Sequence, residues 1–69
     1  MSQHEMIRRY IEKNGSITPM QAFMELGITK LSTRIGEMIQ SGQKITKAME
    51  VGQNRFGDPV RYMRYYKEA

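Results

Sequence analysis

Lys30, Ser32, Thr33, Arg34, Glu37 and Gln40 place two cations, two hydroxyls, a carboxylate and an amide on one short stretch. These are the side chains that read base edges. Arg and Lys pair bidentately with guanine, Gln and Asn with adenine, Glu accepts from a cytosine amine, and Ser and Thr suit either kind of edge. A second group, Gln53, Asn54 and Arg55, lies in the Gly-bounded run GQNRFG. A cation at a Gly-flanked tip suits a phosphate or a minor groove. Each group has a plainer reading. The first could be an ordinary solvated helix face, on which Glu37 would repel phosphates. Asn54 and Gly57 tolerate positive φ, and turn chemistry is the favoured reading for both. Arg55 has no evident structural duty, so its functional reading is favoured. Phe56 is either a plug under the loop or an apolar contact with a partner, and the plug is the favoured reading.

Other chemistries find no support in the residues. His4 has no second His and no Cys to complete a metal site. No carboxylate pair, G-x-S-x-G or phosphate-binding Gly loop occurs, and GQNRFG lacks the Lys-Ser/Thr end of a Walker motif. We expect no catalytic residue, cofactor or metal, and no enzyme. Tyr62, Tyr65 and Tyr66 interleave with Arg61 and Arg64, a pattern that can stack single-stranded bases. So small a sheet needs its aromatics for its core, so burial is expected instead. The seven methionines are expected to fill an irregular core, whereas an exposed cluster of them would mark a protein interface.

The 69 residues allow one domain, with a small core and no cysteine to staple it. The net charge is +4. Residues 1–42 carry five basic and four acidic side chains, and residues 43–69 carry six and three. The surplus suits a polyanionic partner. There is no apolar run long enough to span a membrane, and the charged start, MSQHEMIRRY, is unlike a secretory signal. A cytoplasmic location is expected, that of a bacterial host if the chain is phage-encoded.

The elements that must position these residues can be read in order. Ser2 and Glu5 have capping-box spacing ahead of a helix over about 3–13, with Met6, Ile7, Tyr10 and Ile11 as its apolar stripe. Glu5–Arg9 and Arg8–Glu12 are i,i+4 ion pairs. Asn14-Gly15 stops the helix. Ser16-Ile17 can form a bridging strand of one or two residues. Thr18, Pro19 and Gln21 form a T-x-x-Q cap for a helix over about 19–26, which buries Ala22, Phe23 and Leu26 and ends at Gly27. Ile28 packs the corner. Thr29 can cap a third helix, about 30–41, that buries Leu31, Ile35, Met38 and Ile39 and stops at Gly42. Thr33, Glu37 and Gln40 lie opposite, with Lys30 and Arg34 on one flank and Ser32 near the other. N-terminal positions of such a helix usually reach the bases, which ranks Lys30, Ser32, Thr33 and Arg34 above Gln40.

From Lys44 the period becomes two, with Ile45, Met49 and Val51 on one face. The turn cluster GQNRFGDP separates this run from VRYMRYY, so an antiparallel hairpin is expected over about 44–66. If Val51 faces Val60, Glu50 opposes Arg61, Met49 opposes Tyr62 and Lys47 opposes Arg64, the last an unfavourable pair.

The order helix, short strand, helix, helix, hairpin predicts an α+β winged helix-turn-helix fold. The sequence resembles a family of small winged helix-turn-helix domains found often in bacteriophages and prophages. The likeness is carried by Asn14-Gly15-Ser16-Ile17-Thr18-Pro19, Ala22, Leu26-Gly27-Ile28, Leu31, Arg34-Ile35, Gly42, Ile45, Asn54-Arg55-Phe56-Gly57 and Tyr65. It implies a DNA-binding role and carries over no catalytic residue or cofactor. Gly36, inside the third helix, departs from the pattern and costs up to about 1 kcal/mol against Ala. The expected function is sequence-specific binding of double-stranded DNA, as a transcriptional regulator or an architectural factor in recombination or replication. A homodimer or cooperative array on DNA is expected. The alternative is a small inhibitor or adaptor that binds a host protein, for which fold alone gives no exclusion.

Overall fold

The computed structural model describes residues 1–68. Its elements are α1 (Gln3–Asn14), β1 (Ser16–Ile17), α2 (Pro19–Leu26), α3 (Leu31–Gln40), β2 (Ile45–Gln53) and β3 (Pro59–Lys67). This is the α+β architecture of a winged helix-turn-helix, with three helices and an antiparallel sheet in the order β1-β3-β2.

Local chemistry sets most boundaries. Thr18 and Gln21 close a reciprocal box: Thr18 Oγ1 accepts from the Gln21 N–H, and the Thr18 N–H donates to Gln21 Oε1. Pro19 follows at the first helical position, where its missing N–H costs nothing. The first box is only half made. Ser2 Oγ accepts from the Glu5 N–H at 3.1 Å, but the Glu5 carboxylate turns to Arg8 and Arg9. Two guanidiniums hold it better than one backbone amide. The expected cap at Thr29 does not form. Lys30 occupies that position with no side-chain bond, because α3 starts at Leu31 and leaves Thr29 one residue too early. At its other end Gly42 (φ +102°) lets the Gln43 N–H reach Met38 O and its own N–H reach Ile39 O, the paired bonds of a Schellman stop.

The core is Ile7 and Ile11 of α1, Ile17 of β1, Ala22 of α2, the corner residue Ile28, Leu31, Ile35 and Met38 of α3, and Tyr65 of β3. Met6, Tyr10, Leu26, Ile45 and Met63 pack around it. Ala22 is fully buried. Two expected core residues lie elsewhere: Phe23 is 55% exposed and Ile39 sits at the margin. An eight-residue helix can bury only a narrow stripe, and Ala22 with Leu26 takes it.

The hairpin register is shifted by one residue from the expected one. Val51 faces Arg61, Gly52 faces Val60, Glu50 faces Tyr62 and Lys47 faces Tyr65. The cause is the loop: Asn54 closes a five-residue turn, which sets Gln53 against Pro59 and every pair behind it. The shift removes the like-charged Lys47–Arg64 pair. Arg64 Nε instead donates to Glu50 Oε2 at 2.8 Å, and Arg64 Nη1 donates to Ser16 Oγ at 3.0 Å. One guanidinium thus ties all three strands. The Tyr62 ring lies over Gly52, where an added Cβ would sit 3.3 Å from the ring. The molecule is 39 Å long but only 23 by 21 Å across. The hairpin outruns the helices, so Met49 and Val51, which share a face with Ile45, are exposed.

Candidate nucleic-acid interface

The face of α3 opposite the core is built by helical spacing. With Leu31, Ile35 and Met38 buried, Thr33, Gly36 and Gln40 come round to the far side. Ser32, Thr33 and Gln40 are exposed, and Lys30 stands exposed at the helix entrance. This face carries hydroxyls and an amide around a bare backbone. A Cβ added at Gly36 would meet no atom within 4 Å, so nothing inside the chain requires glycine there.

Arg34 and Glu37 do not join this face. Glu37 Oε1 lies 2.8 Å from His4 Nε2 on α1 and 3.1 Å from Arg34 Nη1. The three side chains are each less than half exposed. Arg34 is drawn down beside α1, and its Nε is buried with no partner among the described residues. Of the four N-terminal candidates on this helix, three remain outward, Lys30, Ser32 and Thr33. The carboxylate that would repel phosphates is turned aside and partly neutralised.

The wing tip is stiff. Asn54 Oδ1 accepts from the Phe56 N–H at 2.9 Å and the Asp58 N–H at 3.0 Å, and the Asn54 N–H donates to Asp58 O at 2.9 Å. Gly57 reverses the chain at φ +83°. Asn54 is therefore the turn builder, as its plainer reading held. Gln53 and Arg55 are exposed. Phe56 is not a plug: it is 86% exposed. The loop that Asn54 ties together leaves no apolar underside to fill.

Lys44, Lys47 and Arg61 are not among the residues that the sequence reading assigns to duplex DNA. With Lys30 and Arg55 they are exposed and have no carboxylate within 4 Å among the described residues. Arg8, Arg9, Arg34, Arg64 and Lys67 are all paired. Apart from Lys13 at the end of α1, which is also exposed and unpaired among the described residues, the free cations thus gather on α3's entrance, the strand after it and the wing. The charge surplus of residues 43–69 was the available signal, but pairing decides which cations stay free. Arg61 also borders a groove of about 610 Å³ between the start of α2, at Thr18 to Gln21, and the wing at Gln53, Asn54 and Tyr62.

Electrostatics mark the scaffold rather than this face. The Arg64 guanidinium holds the Glu50 carboxyl below its usual range, with help from the Tyr62 hydroxyl. Arg8 and Arg9 do the same for Glu5. Burial pushes the Tyr65 phenol up. The tyrosines serve structure: Tyr65 is in the core, and Tyr66 OH reaches Glu50 at 3.4 Å. Of the methionines, Met38 is buried, but Met1, Met20, Met24 and Met49 are exposed, contrary to the expected core role. No group of three or more His, Cys, Asp or Glu among the described residues is placed to hold a metal. Among the described residues no helix is long and apolar enough to cross a membrane.

Comparison with known families matches residues 2–66 to one described as a winged helix-turn-helix domain. No curated protein matches the chain.

Proposed function

The chain belongs to the winged helix-turn-helix domain family, and we propose that it binds double-stranded DNA sequence-specifically, as a phage or prophage transcriptional regulator or an architectural factor in recombination or replication. The observation that carries this reading is the outward face of α3. It holds Ser32, Thr33 and Gln40 around Gly36, with Lys30 at its entrance and Glu37 turned away to His4. Such a face offers donors and acceptors to base edges, with its one neighbouring carboxylate held to the flank by His4 and Arg34. Gly36 lets a groove wall come close to the helix backbone. The wing would lie alongside, with Arg55 on a phosphate or in the minor groove, while Lys44, Lys47 and Arg61 neutralise backbone charge.

One module of this size buries limited DNA surface, so it would act as a homodimer or a cooperative array. Its place of action would be the cytoplasm. The test is selection of bound fragments from a random duplex pool. A recovered motif supports the reading, and its loss in Lys30→Glu and Arg55→Glu, both folded, ties it to these residues. Recovery of no enriched sequence, with both variants behaving as the parent, would overturn it.

A second reading has one observation in its favour. Met20, Phe23 and Met24 are exposed at i, i+3 and i+4 on α2, at 68, 55 and 71%. That apolar stripe would suit a protein-binding adaptor or inhibitor. Replacing Met24 and Phe23 with Ser would leave DNA binding intact and abolish capture of a host protein on this reading.

A further inference from the structure

Phe56 is the most exposed of the large apolar side chains, at 86%, and it sits at the apex of the wing. Exposed apolar residues are ordinary on surfaces. This one differs in how it is held. The loop spends the Asn54 carboxamide oxygen on two backbone N–H groups, adds two backbone bonds across the turn, and uses the left-handed Gly57 to reverse the chain. Pro59 then fixes the start of β3. A flexible tip would fold a phenyl ring back against the hairpin. This tip presents it outward on a stiff stalk at the end of a 39 Å molecule.

Its neighbour decides what it meets. Arg55 precedes it, exposed and without an acidic partner among the described residues. A cation and an apolar wedge side by side match a narrow minor groove, where the cation meets the negative potential and the wedge parts two base pairs. A purely apolar protein pocket would instead have to desolvate the guanidinium.

We propose that the wing tip is a DNA-bending wedge. Phe56 enters between adjacent base pairs from the minor groove, Arg55 lies along the groove beside it, and the duplex kinks away. This rests on the duplex-DNA reading above and adds an activity to it. Pyrimidine–purine steps unstack most easily, so the wedge would favour such a step under the wing.

The test uses the full chain and a short duplex from the random-pool selection, labelled at its ends with a donor and an acceptor dye. Anisotropy reports binding and energy transfer reports bending in the same sample. The parent protein brings the ends together, by a kink in the range of about 20–90°. Phe56→Ala, whose exposed position leaves the fold intact by circular dichroism, still binds but with affinity lower by roughly tenfold, and the duplex stays straight. Phe56→Trp keeps the bend. A duplex that is bound yet straight with the parent protein, or bent equally by Phe56→Ala, overturns the wedge and leaves the DNA reading standing. No binding by the parent protein overturns both.

Discussion

His4 Nε2 lies 2.8 Å from Glu37 Oε1, a contact that joins the first turn of α1 to the middle of α3. A carboxylate acceptor requires that this ring nitrogen carry the proton. The same oxygen takes Arg34 Nη1 at 3.1 Å. In the sequence, Glu37 argues against a DNA-reading helix, and Arg34 is one of the four N-terminal positions that argue for it. The structure exchanges their weight: each neutralises the other on the flank beside α1.

Removing the carboxylate should therefore strengthen binding. Glu37→Gln keeps the shape, deletes one negative charge near the phosphates and frees Arg34. The pair is partly exposed, so stability should fall by no more than about 1 kcal/mol. Fluorescence anisotropy with a fixed duplex should show tighter binding, and a salt dependence steeper by about 0.9 in log–log slope if Arg34 gains a phosphate. Weaker binding would mean that Glu37 reads a base itself.

Gly36 gives a test in which stability and binding move in opposite directions. Gly36→Ala meets no atom of the chain, so it should stabilise α3 by up to about 1 kcal/mol. For a domain of this size that is a rise in Tm of roughly 4–8 °C. If a groove wall approaches the helix backbone there, duplex affinity falls in the same variant. A gain in Tm with affinity unchanged would assign Gly36 no part in binding.

The wing should loosen in acid. Arg64 lowers the folded-state pKa of Glu50, so Glu50 contributes stability above its ordinary value, about 4.3, and loses it as pH falls through the lowered one. Glu5 is lowered too and acts in the same direction through α1. Thermal melts across this range should show a shallower acid decline for Glu50→Gln than for the parent. An identical decline would place the acid sensitivity elsewhere.

The core leaves little margin. Ile35 is 1% exposed at the centre of the three helices. Ile35→Ala should cost about 2–5 kcal/mol, as large-to-small core changes do. A domain this small holds only about 3–5 kcal/mol from its core. Urea unfolding should therefore find much of the variant unfolded before denaturant is added. A two-state transition near the parent's midpoint would contradict this packing.

The order of elements was legible because caps and stops are local. Thr18-Pro19-x-Gln21, Gly15, Gly27 and Gly42 act through neighbours within a few residues. What was hidden depended on contacts distant in sequence. The hairpin register was set by how Asn54 closes its loop, which composition alone could not reveal. Periodicity placed Phe23 inward and set Met49 and Val51 on one face with Ile45, yet α2 is too short and the wing too long for the core to reach them. At the candidate site, Lys30, Ser32, Thr33, Gln40, Gln53 and Arg55 emerge exposed, as helical phase and a Gly-flanked tip suggest. The tethering of Glu37 by His4 spans 33 residues and left no trace in the local pattern.

The central claim, that this chain binds duplex DNA through its unpaired cations, is tested most directly by equilibrium binding to a selected duplex over a series of salt concentrations. Of the six exposed cations unpaired among the described residues, Lys13 lies on α1, and the other five, Lys30, Lys44, Lys47, Arg55 and Arg61, set the upper end of the expected phosphate contacts. Each engaged contact contributes about −0.9 to the slope of log K against log salt. A steep negative slope, reduced by about one such step in Arg55→Glu, is the predicted result. Affinity that does not change with salt would contradict it.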